Sequence, residues 1–149
     1  MKKLLALSAC AVTILLALPG VAQVRFIPPP EPYPFSTAVA VDGILYISGE
    51  IGTGPDGKLV EGFEAQARQT MDNIATTLKA QQLTMDDVFK CTVYLAHIDR
   101  WADFNKIYVP YFKAGRLPAR SAVGANGLAE GALMEVECWA RIPKAPASK

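Results

Sequence analysis

The amino-acid sequence predicts an α+β domain in which two helices pack on one face of a mixed sheet of about six strands. Three observations support this class. One segment has the apolar spacing of a helix, several short segments have the composition of strands, and the elements follow one another without an internal repeat. The predicted order is β-β-α-β-α-β-β, and nothing in the sequence indicates a second domain.

The chain begins with a segment typical of a secretory signal peptide, over residues 1–22. A basic start precedes an apolar run, and Gly20 and Ala22 are the small residues that a signal peptidase requires. The predicted cut follows Ala22 and implies a periplasmic or secreted protein. An uncleaved membrane anchor is the alternative, but the run of 15 residues from Leu4 to Leu18 is short for a span of about 20. Lipidation at Cys10 is disfavoured because the apolar run continues past it.

Composition limits the partners of the mature protein. Removal of the leader leaves 127 residues with a net charge of −1, since Lys2 and Lys3 are lost. This balance gives no electrostatic reason to bind nucleic acid or an anionic membrane. A lone histidine and scattered cysteines argue against a zinc site. We therefore expect no nucleic-acid partner, no metal and no stable membrane span after cleavage.

The mature chain divides into three predicted parts. Residues 23–34 form a proline-rich arm, which we expect to be extended and unable to make a regular strand ladder, because proline lacks an N–H. The folded domain covers residues 35–142, and a tail follows over residues 143–149.

Hydrophobic periodicity and turn residues predict the elements of the domain. Apolar side chains recur every three or four positions from Phe63 to Leu78, which predicts a helix over about residues 63–82. A second helix is predicted over about residues 100–112. The predicted strands cover residues 37–41, 44–48, 88–95, 119–125 and 133–142, and the turn Asp42-Gly43 joins the first two.

Two segments contain charged residues that could take part in binding or catalysis. In the last strand, period two places Glu135 and Glu137 on one face and the apolar residues on the other. Two like charges on a closing strand suggest that one of them points into a cleft or a subunit interface, although a solvated face is the simpler alternative. Arg120 follows Pro118 at the start of the preceding strand, and its guanidinium suits a carboxylate. An ordinary surface arginine is the alternative.

Two cysteines remain after cleavage, Cys91 and Cys138. An exported protein meets an oxidising compartment, so the two could form a disulfide. The sequence does not give the Cα separation that a disulfide requires. Both residues lie in strand-like runs, which slightly favours two buried free thiols.

Several segments taken together resemble the reactive intermediate deaminase (Rid) family, also called the YjgF family. The resemblance extends from about residue 34 to residue 141, and the order and spacing of its segments make it specific. The segments are Pro34-Phe35-Ser36, Leu45-Tyr46-Ile47-Ser48-Gly49, residues 66–78 around Asn73-Ile74, Lys90-Cys91-Thr92-Val93-Tyr94-Leu95, Asp103-Phe104-Asn105-Lys106-Ile107-Tyr108, Pro118-Ala119-Arg120-Ser121 and Glu135-Val136-Glu137.

The resemblance implies a chorismate-mutase-like fold and a homotrimer with clefts between its subunits. It also implies hydrolysis of 2-imino or enamino acids to 2-keto acids and ammonia, with no metal or organic cofactor. Arg120 would bind the substrate carboxylate, and Glu135 would position or activate water. The other implied substrate-binding residues are Phe35, Ser48, Gly49 and Asn105.

The sequence departs from the family pattern near the implied cleft. Phe35 stands where tyrosine is common, Glu50 replaces a common glutamine, and Ala122 replaces a frequent cysteine. The export signal adds a second question, because the familiar sources of such imines are intracellular. A non-catalytic trimer that binds a small carboxylate or a protein partner is therefore the alternative function. RNA cleavage, found in other family members, is disfavoured by the charge and the export signal.

Overall fold

The computed structural model describes residues 23–143. The predicted signal peptide, with its cut after Ala22 and with Cys10, lies outside the described residues, as does the tail beyond residue 143. Within residues 23–143 no helix has both the length and the apolar character needed to cross a membrane.

Seven strands form one mixed sheet. They are β1 (Val24–Ile27), β2 (Ala38–Val41), β3 (Ile44–Ile47), β4 (Glu50–Ile51), β5 (Val88–Leu95), β6 (Ala119–Gly124) and β7 (Met134–Arg141). The strand order is β1-β2-β3-β7-β5-β6, and the short β4 continues β3 alongside β7. Only β5 and β6 are parallel. The mixed sheet is confirmed, and the two strands that the sequence pattern did not predict are β1 and β4.

Two α-helices cover one face of the sheet, as predicted: α1 (Phe63–Ala80) and α2 (Trp101–Tyr108). Helix α1 ends two residues before the predicted end, where Gln82 adopts a left-handed φ of 61°. Helix α2 is shorter than predicted and continues as a 3₁₀ turn over Val109–Tyr111. Pro110 explains this difference, because its ring and missing N–H disrupt α-helical hydrogen bonding.

The hydrophobic core lies between the helices and one face of the sheet. Helix α1 buries the predicted stripe from Phe63 to Leu78, and α2 buries Phe104 and Ile107. Strand β7 alternates as predicted, with Met134, Val136 and Cys138 buried on the helix face. The opposite face of the sheet carries Glu135 and Glu137 and has no helix over it among the described residues.

The arm differs from the prediction at its N-terminal end. Strand β1 pairs antiparallel with β2, from Val24 opposite Val41 to Ile27 opposite Ala38. The four residues of β1 precede the first proline, so their N–H groups can join the ladder. The prediction of an arm without ladder hydrogen bonds was wrong for this segment. The prolines begin at Pro28, where the strand ends.

The two cysteines form a disulfide, so the expectation of free thiols was wrong. Cys91 on β5 and Cys138 on β7 are direct partners in the antiparallel register, with their Cα atoms 4.1 Å apart. Both side chains are fully buried in the core. Cross-strand pairing brings them together, and sequence separation alone does not reveal that register.

Candidate functional site

A cleft of about 680 Å³ lies between the proline-rich arm, strand β4 and the C-terminal half of helix α1. Four of the predicted site residues line it: Phe35, Ser48, Gly49 and Glu135. The cleft opens at β4 because this strand, among the described strands, pairs only with β7. The volume lies within the range of about 300–1,000 Å³ that is usual for small-molecule sites.

A β-bulge brings Ser48 and Gly49 to the cleft. Tyr46 pairs with Trp139 and Glu50 pairs with Val136, so β3–β4 has one more residue than β7 across this stretch. Such a bulge redirects side chains and is common beside active sites. A Cβ built on Gly49 would overlap the carboxylate of Glu135. Because glycine has no side chain, the Glu135 carboxylate can occupy the space beside residue 49.

Glu135 reaches the cleft from the sheet face that the helices leave uncovered. Its neighbour in the register on β5 is Tyr94, and both side chains are half-buried. Burial raises the pKa of the Glu135 carboxyl, and the nearby Glu137 raises it further. A carboxylate with a raised pKa is a stronger base near neutral pH, which suits proton transfer to and from water.

Ser48 and Phe35 connect the cleft to the arm. The Ser48 hydroxyl donates a 2.7 Å hydrogen bond to the backbone carbonyl of Ser36, which holds the end of the arm beside the bulge. Phe35 stacks on Tyr33 with ring centroids 5.3 Å apart, and both rings are exposed. The arm from Ile27 onward, together with Phe35 just after it, thus forms an apolar wall of the cleft. Sequence reasoning described this arm without assigning it to a site.

Glu50 is a cleft residue that sequence reasoning noted as a departure from the family pattern but did not include in the site. Its register partner Val136 lies in the core, so Glu50 reaches the cleft from the helix face. Burial raises the pKa of the Glu50 carboxyl to about 7, although the hydroxyl of Thr77 on α1 opposes the shift. This hydroxyl is 3.5 Å from the carboxylate, at the limit of hydrogen bonding.

Arg120 and Asn105 form a second group at the edge of the sheet. The Arg120 guanidinium donates a 2.6 Å hydrogen bond to Oδ1 of Asn105 on α2 and lies 4.6 Å from the ring centroid of Tyr108. Both contacts are with neutral groups, and no carboxylate in residues 23–143 forms an ion pair with Arg120. The half-buried guanidinium is thus oriented while its charge remains available to an anion.

The two groups do not meet within one chain. Arg120 is the register partner of the buried Cys91 and therefore lies on the helix face of the sheet. Glu135 lies on the opposite face, two strands away. The predicted residues are thus brought into two separate sets, one containing Phe35, Ser48, Gly49 and Glu135 and the other Asn105 and Arg120. In the described part of the chain, no group of three or more His, Cys, Asp or Glu side chains could hold a metal ion.

The strand order and the two helices define an α+β domain with the chorismate-mutase-like fold. The chain belongs to the Rid/YjgF family, because the family model described as endoribonuclease L-PSP matches residues 28–142. The resemblance found in the sequence is therefore confirmed.

Relatives and solved structures agree with this membership. The chain is 42% identical over 109 residues to the human 2-iminobutanoate/2-iminopropanoate deaminase, which is 72% of this chain and 79% of that protein. It is 42% identical over 106 residues to a RutC family protein of Aquifex aeolicus, with 70% of this chain and 85% of that protein covered. The crystal structure of the Rid family protein YyfA of Yersinia pestis matches with a TM-score of 0.75 and 38% identity, over 80% of this chain and 100% of that chain.

Proposed function

We propose that this protein hydrolyses 2-imino or enamino acids to 2-keto acids and ammonia. The observation that carries the proposal is Arg120, a half-buried guanidinium oriented by neutral partners and without an acidic partner in residues 23–143. A planar guanidinium binds a carboxylate through two parallel hydrogen bonds. Relatives named 2-iminobutanoate/2-iminopropanoate deaminase, about 40% identical to this chain, support the reaction class.

Glu135 supplies the proton transfers in the proposed reaction. Water adds to the carbon of the C=N group while the Glu135 carboxylate takes one of its protons, which it returns to the nitrogen. Glu135 then takes the hydroxyl proton of the resulting amino alcohol and passes it to the nitrogen, so that the C–N bond breaks, ammonia leaves and the C=O bond forms. Proton transfer of this kind contributes a factor of about 10² to 10⁴ in rate. Binding the carboxylate at Arg120 would hold the adjacent carbon within reach of that water.

The site we propose is shared between copies of the chain. Arg120 and Glu135 lie on opposite sheet faces with β5 between their strands, and Arg120 of the same chain does not line the cleft that Glu135 enters. We propose that Arg120 and Asn105 of one subunit meet Glu135, Ser48, Gly49 and Phe35 of its neighbour in a homotrimer. The uncovered sheet face, with the exposed aromatic rings of Phe89 and Trp139, offers an apolar surface for such association. A light-scattering mass of one chain would contradict the shared site.

We also propose that the protein is exported after cleavage behind Ala22. The Cys91–Cys138 disulfide supports an oxidising compartment, because disulfides are rare in reducing cytosol. Mass spectrometry of the protein recovered from a periplasmic extract tests this. We expect a mature N-terminus at Gln23, and an intact leader on most molecules would contradict export by cleavage.

RNA cleavage is the activity named in the description of the family model. The charges of the cleft argue against it, because none of the residues lining it is cationic while three are carboxylates: Glu50, Glu130 and Glu135. Affinity for nucleic acid depends on Lys and Arg contacts with phosphate. We therefore propose that the protein does not bind nucleic acid.

The activity is tested with 2-iminobutanoate generated by an amino-acid oxidase and followed by semicarbazide trapping. We expect the wild-type protein to accelerate loss of the imine and Arg120→Ala to abolish the acceleration. Arg116→Ala is the matched control, since Arg116 is exposed and does not line the cleft. If wild type and Arg120→Ala both leave the decay unchanged, the protein is not a deaminase. Saturable, Arg120-dependent binding of 2-ketobutanoate would then favour the non-catalytic binding module.

Subunit complementation tests the shared site. Arg120→Ala removes the arginine half of the proposed site, and Glu135→Gln removes the glutamate half. If the two halves come from different subunits, trimers formed by co-expressing equal amounts of both variants should contain about a quarter of their sites intact. We expect both single variants to be inactive and the mixed protein to regain activity. An inactive mixture that still contains mixed trimers by mass spectrometry would contradict a site built from two subunits.

A further inference from the structure

The carboxylate of Glu50 forms part of the cleft wall, and none of the residues that line the cleft is cationic. In the described part of the chain, its one side-chain hydrogen bond is the 3.5 Å contact with Thr77. Arg25 on the arm does not line the cleft, and its guanidinium donates a 2.8 Å hydrogen bond to the amide oxygen of Gln81. A largely buried carboxylate without a counter-charge is costly, and a ligand that brings a cation would remove much of that cost.

The cleft around Glu50 suits the long apolar stem of a ligand side chain. Ile27 and the three prolines that follow it line the cleft, as do Ala80 on α1 and Ile51 on β4. Tyr33 and Phe35 present exposed aromatic rings at the same opening. Methylene groups pack favourably on such surfaces, and aromatic faces also attract cations.

We propose that this part of the cleft binds the side chain of the substrate and selects 2-imino acids whose side chain ends in a cation, with Glu50 as the specificity-determining residue. The inference rests on the proposed deaminase function and names its substrate class. Arg120 would bind the carboxylate common to all substrates, whereas Glu50 would pair with the terminal group. A guanidinium fits best, because it can donate two parallel hydrogen bonds to one carboxylate.

Ionisation of Glu50 should be linked to binding. The groups near it that titrate or carry charge are Glu135 on β7, Glu130 on the neighbouring turn, and Tyr33 and Arg25 on the arm; the adjacent α1 side chains Thr76, Thr77 and Gln81 are neutral. In the empty cleft the raised pKa of Glu50 leaves the carboxyl partly protonated at neutral pH. A bound cation would favour the ionised form, so affinity for the cation should rise from pH 6 to pH 8 and a proton should be released.

The test uses two substrates that differ only at the end of the side chain. The imines of arginine and citrulline, made in place by one amino-acid oxidase, carry a guanidinium and its neutral urea isostere. We expect kcat/KM for the arginine imine to exceed that for the citrulline imine by about tenfold or more, the effect of one charge-assisted hydrogen bond. Glu50→Gln should bring the two values within about twofold of each other, chiefly by lowering kcat/KM for the arginine imine. Glu61→Gln, on an exposed loop, is the matched control that keeps the preference.

Calorimetry with L-arginine and L-citrulline separates the two proposals. Glu50-dependent preference for arginine without turnover of either imine would contradict deamination and support the subsite. Turnover of both imines without preference, or a preference that persists in Glu50→Gln, would overturn the subsite and leave the deaminase standing. Equal affinity for arginine and citrulline in wild type at pH 8 would also overturn it.

Discussion

Gly49 and Glu135 occupy adjoining space across the β3–β4 bulge, and the carboxylate of Glu135 fills the position that a Cβ on Gly49 would take. The backbone of Gly49 is not in the left-handed region, so alanine is excluded here by the carboxylate and not by φ. The absence of one methyl group thus determines where the proposed general base can lie.

Replacing Gly49 by alanine should therefore move the Glu135 carboxylate. We expect Gly49→Ala to lower kcat by about tenfold to a hundredfold, part of the usual contribution of a general base. In a Glu135→Ala background the same change should have no further effect, because the two residues act through one contact. Gly54→Ala is the control, since the nearest atom to its Cβ is the side-chain end of Asp56. Full activity in Gly49→Ala would contradict the prediction.

The hydroxyl of Tyr108 is buried and has no hydrogen-bond partner in residues 23–143, while the ring of Tyr108 lies beneath Arg120. Burial also raises the pKa of Tyr108 to about 12. We expect Tyr108→Phe to stabilise the protein by about 1 kcal/mol, because it removes an unsatisfied polar group and keeps the ring. Chemical denaturation measures this effect. Tyr108→Leu should instead destabilise the protein and weaken carboxylate binding, and equal effects of the two changes would refute the role of the ring.

The disulfide closes a loop with a sequence separation of 47 residues. Chain-entropy arguments give such a crosslink about 4 kcal/mol of stabilisation. We expect the double variant Cys91→Ala, Cys138→Ala to unfold at a clearly lower urea concentration than the oxidised protein. Because both sulfurs are buried, dithiothreitol should reduce the bond only after urea opens the fold. Rapid reduction of the native protein would show that the pair is accessible.

Glu50 should make stability depend on pH. Its carboxyl ionises near the ordinary 4.5 in the unfolded chain but near 7 in the folded protein, so the folded state binds more protons between these values. Stability associated with this group is therefore fully present below pH 4.5 and is lost as pH rises towards 7, with an upper limit of about 3 kcal/mol.

Comparison of Glu50→Gln with wild type isolates this contribution at fixed protein concentration. We expect the variant to gain stability relative to wild type at pH 8 and to show little difference at pH 4. A constant difference across this range would mean that burial does not perturb Glu50.

Most elements of the fold could be predicted because burial leaves a periodic pattern. The apolar spacing from Phe63 to Leu78 and the alternation in β7 record which side of each element faces the core. Strand β4 could not be predicted in this way, because its two residues are too few to show a periodic pattern. The apolar residues of α2 continue through the 3₁₀ turn that Pro110 imposes, so the apolar pattern predicts a later end than the α-helix has.

The candidate site could be predicted only as a set of residue types. Arg120, Asn105, Ser48, Gly49 and Glu135 were recognisable from the family pattern. Their division into two groups depends on the parallel register of Arg120 with Cys91 and the antiparallel register of Glu135 with Tyr94. The arm and Glu50 became part of the cleft only through contacts between segments that are distant in sequence.

By itself, the sequence determined the α+β class, the two helices, the inward and outward faces of the long strands and membership of the Rid/YjgF pattern, because these depend on local periodicity and residue identity. Only the tertiary structure decided the Cys91–Cys138 bond, the β1 pairing and the buried state of Glu50. These features depend on strand register and long-range packing. Both bring together residues that are distant in sequence, and the spacing of such residues along the chain does not predict that they are in contact.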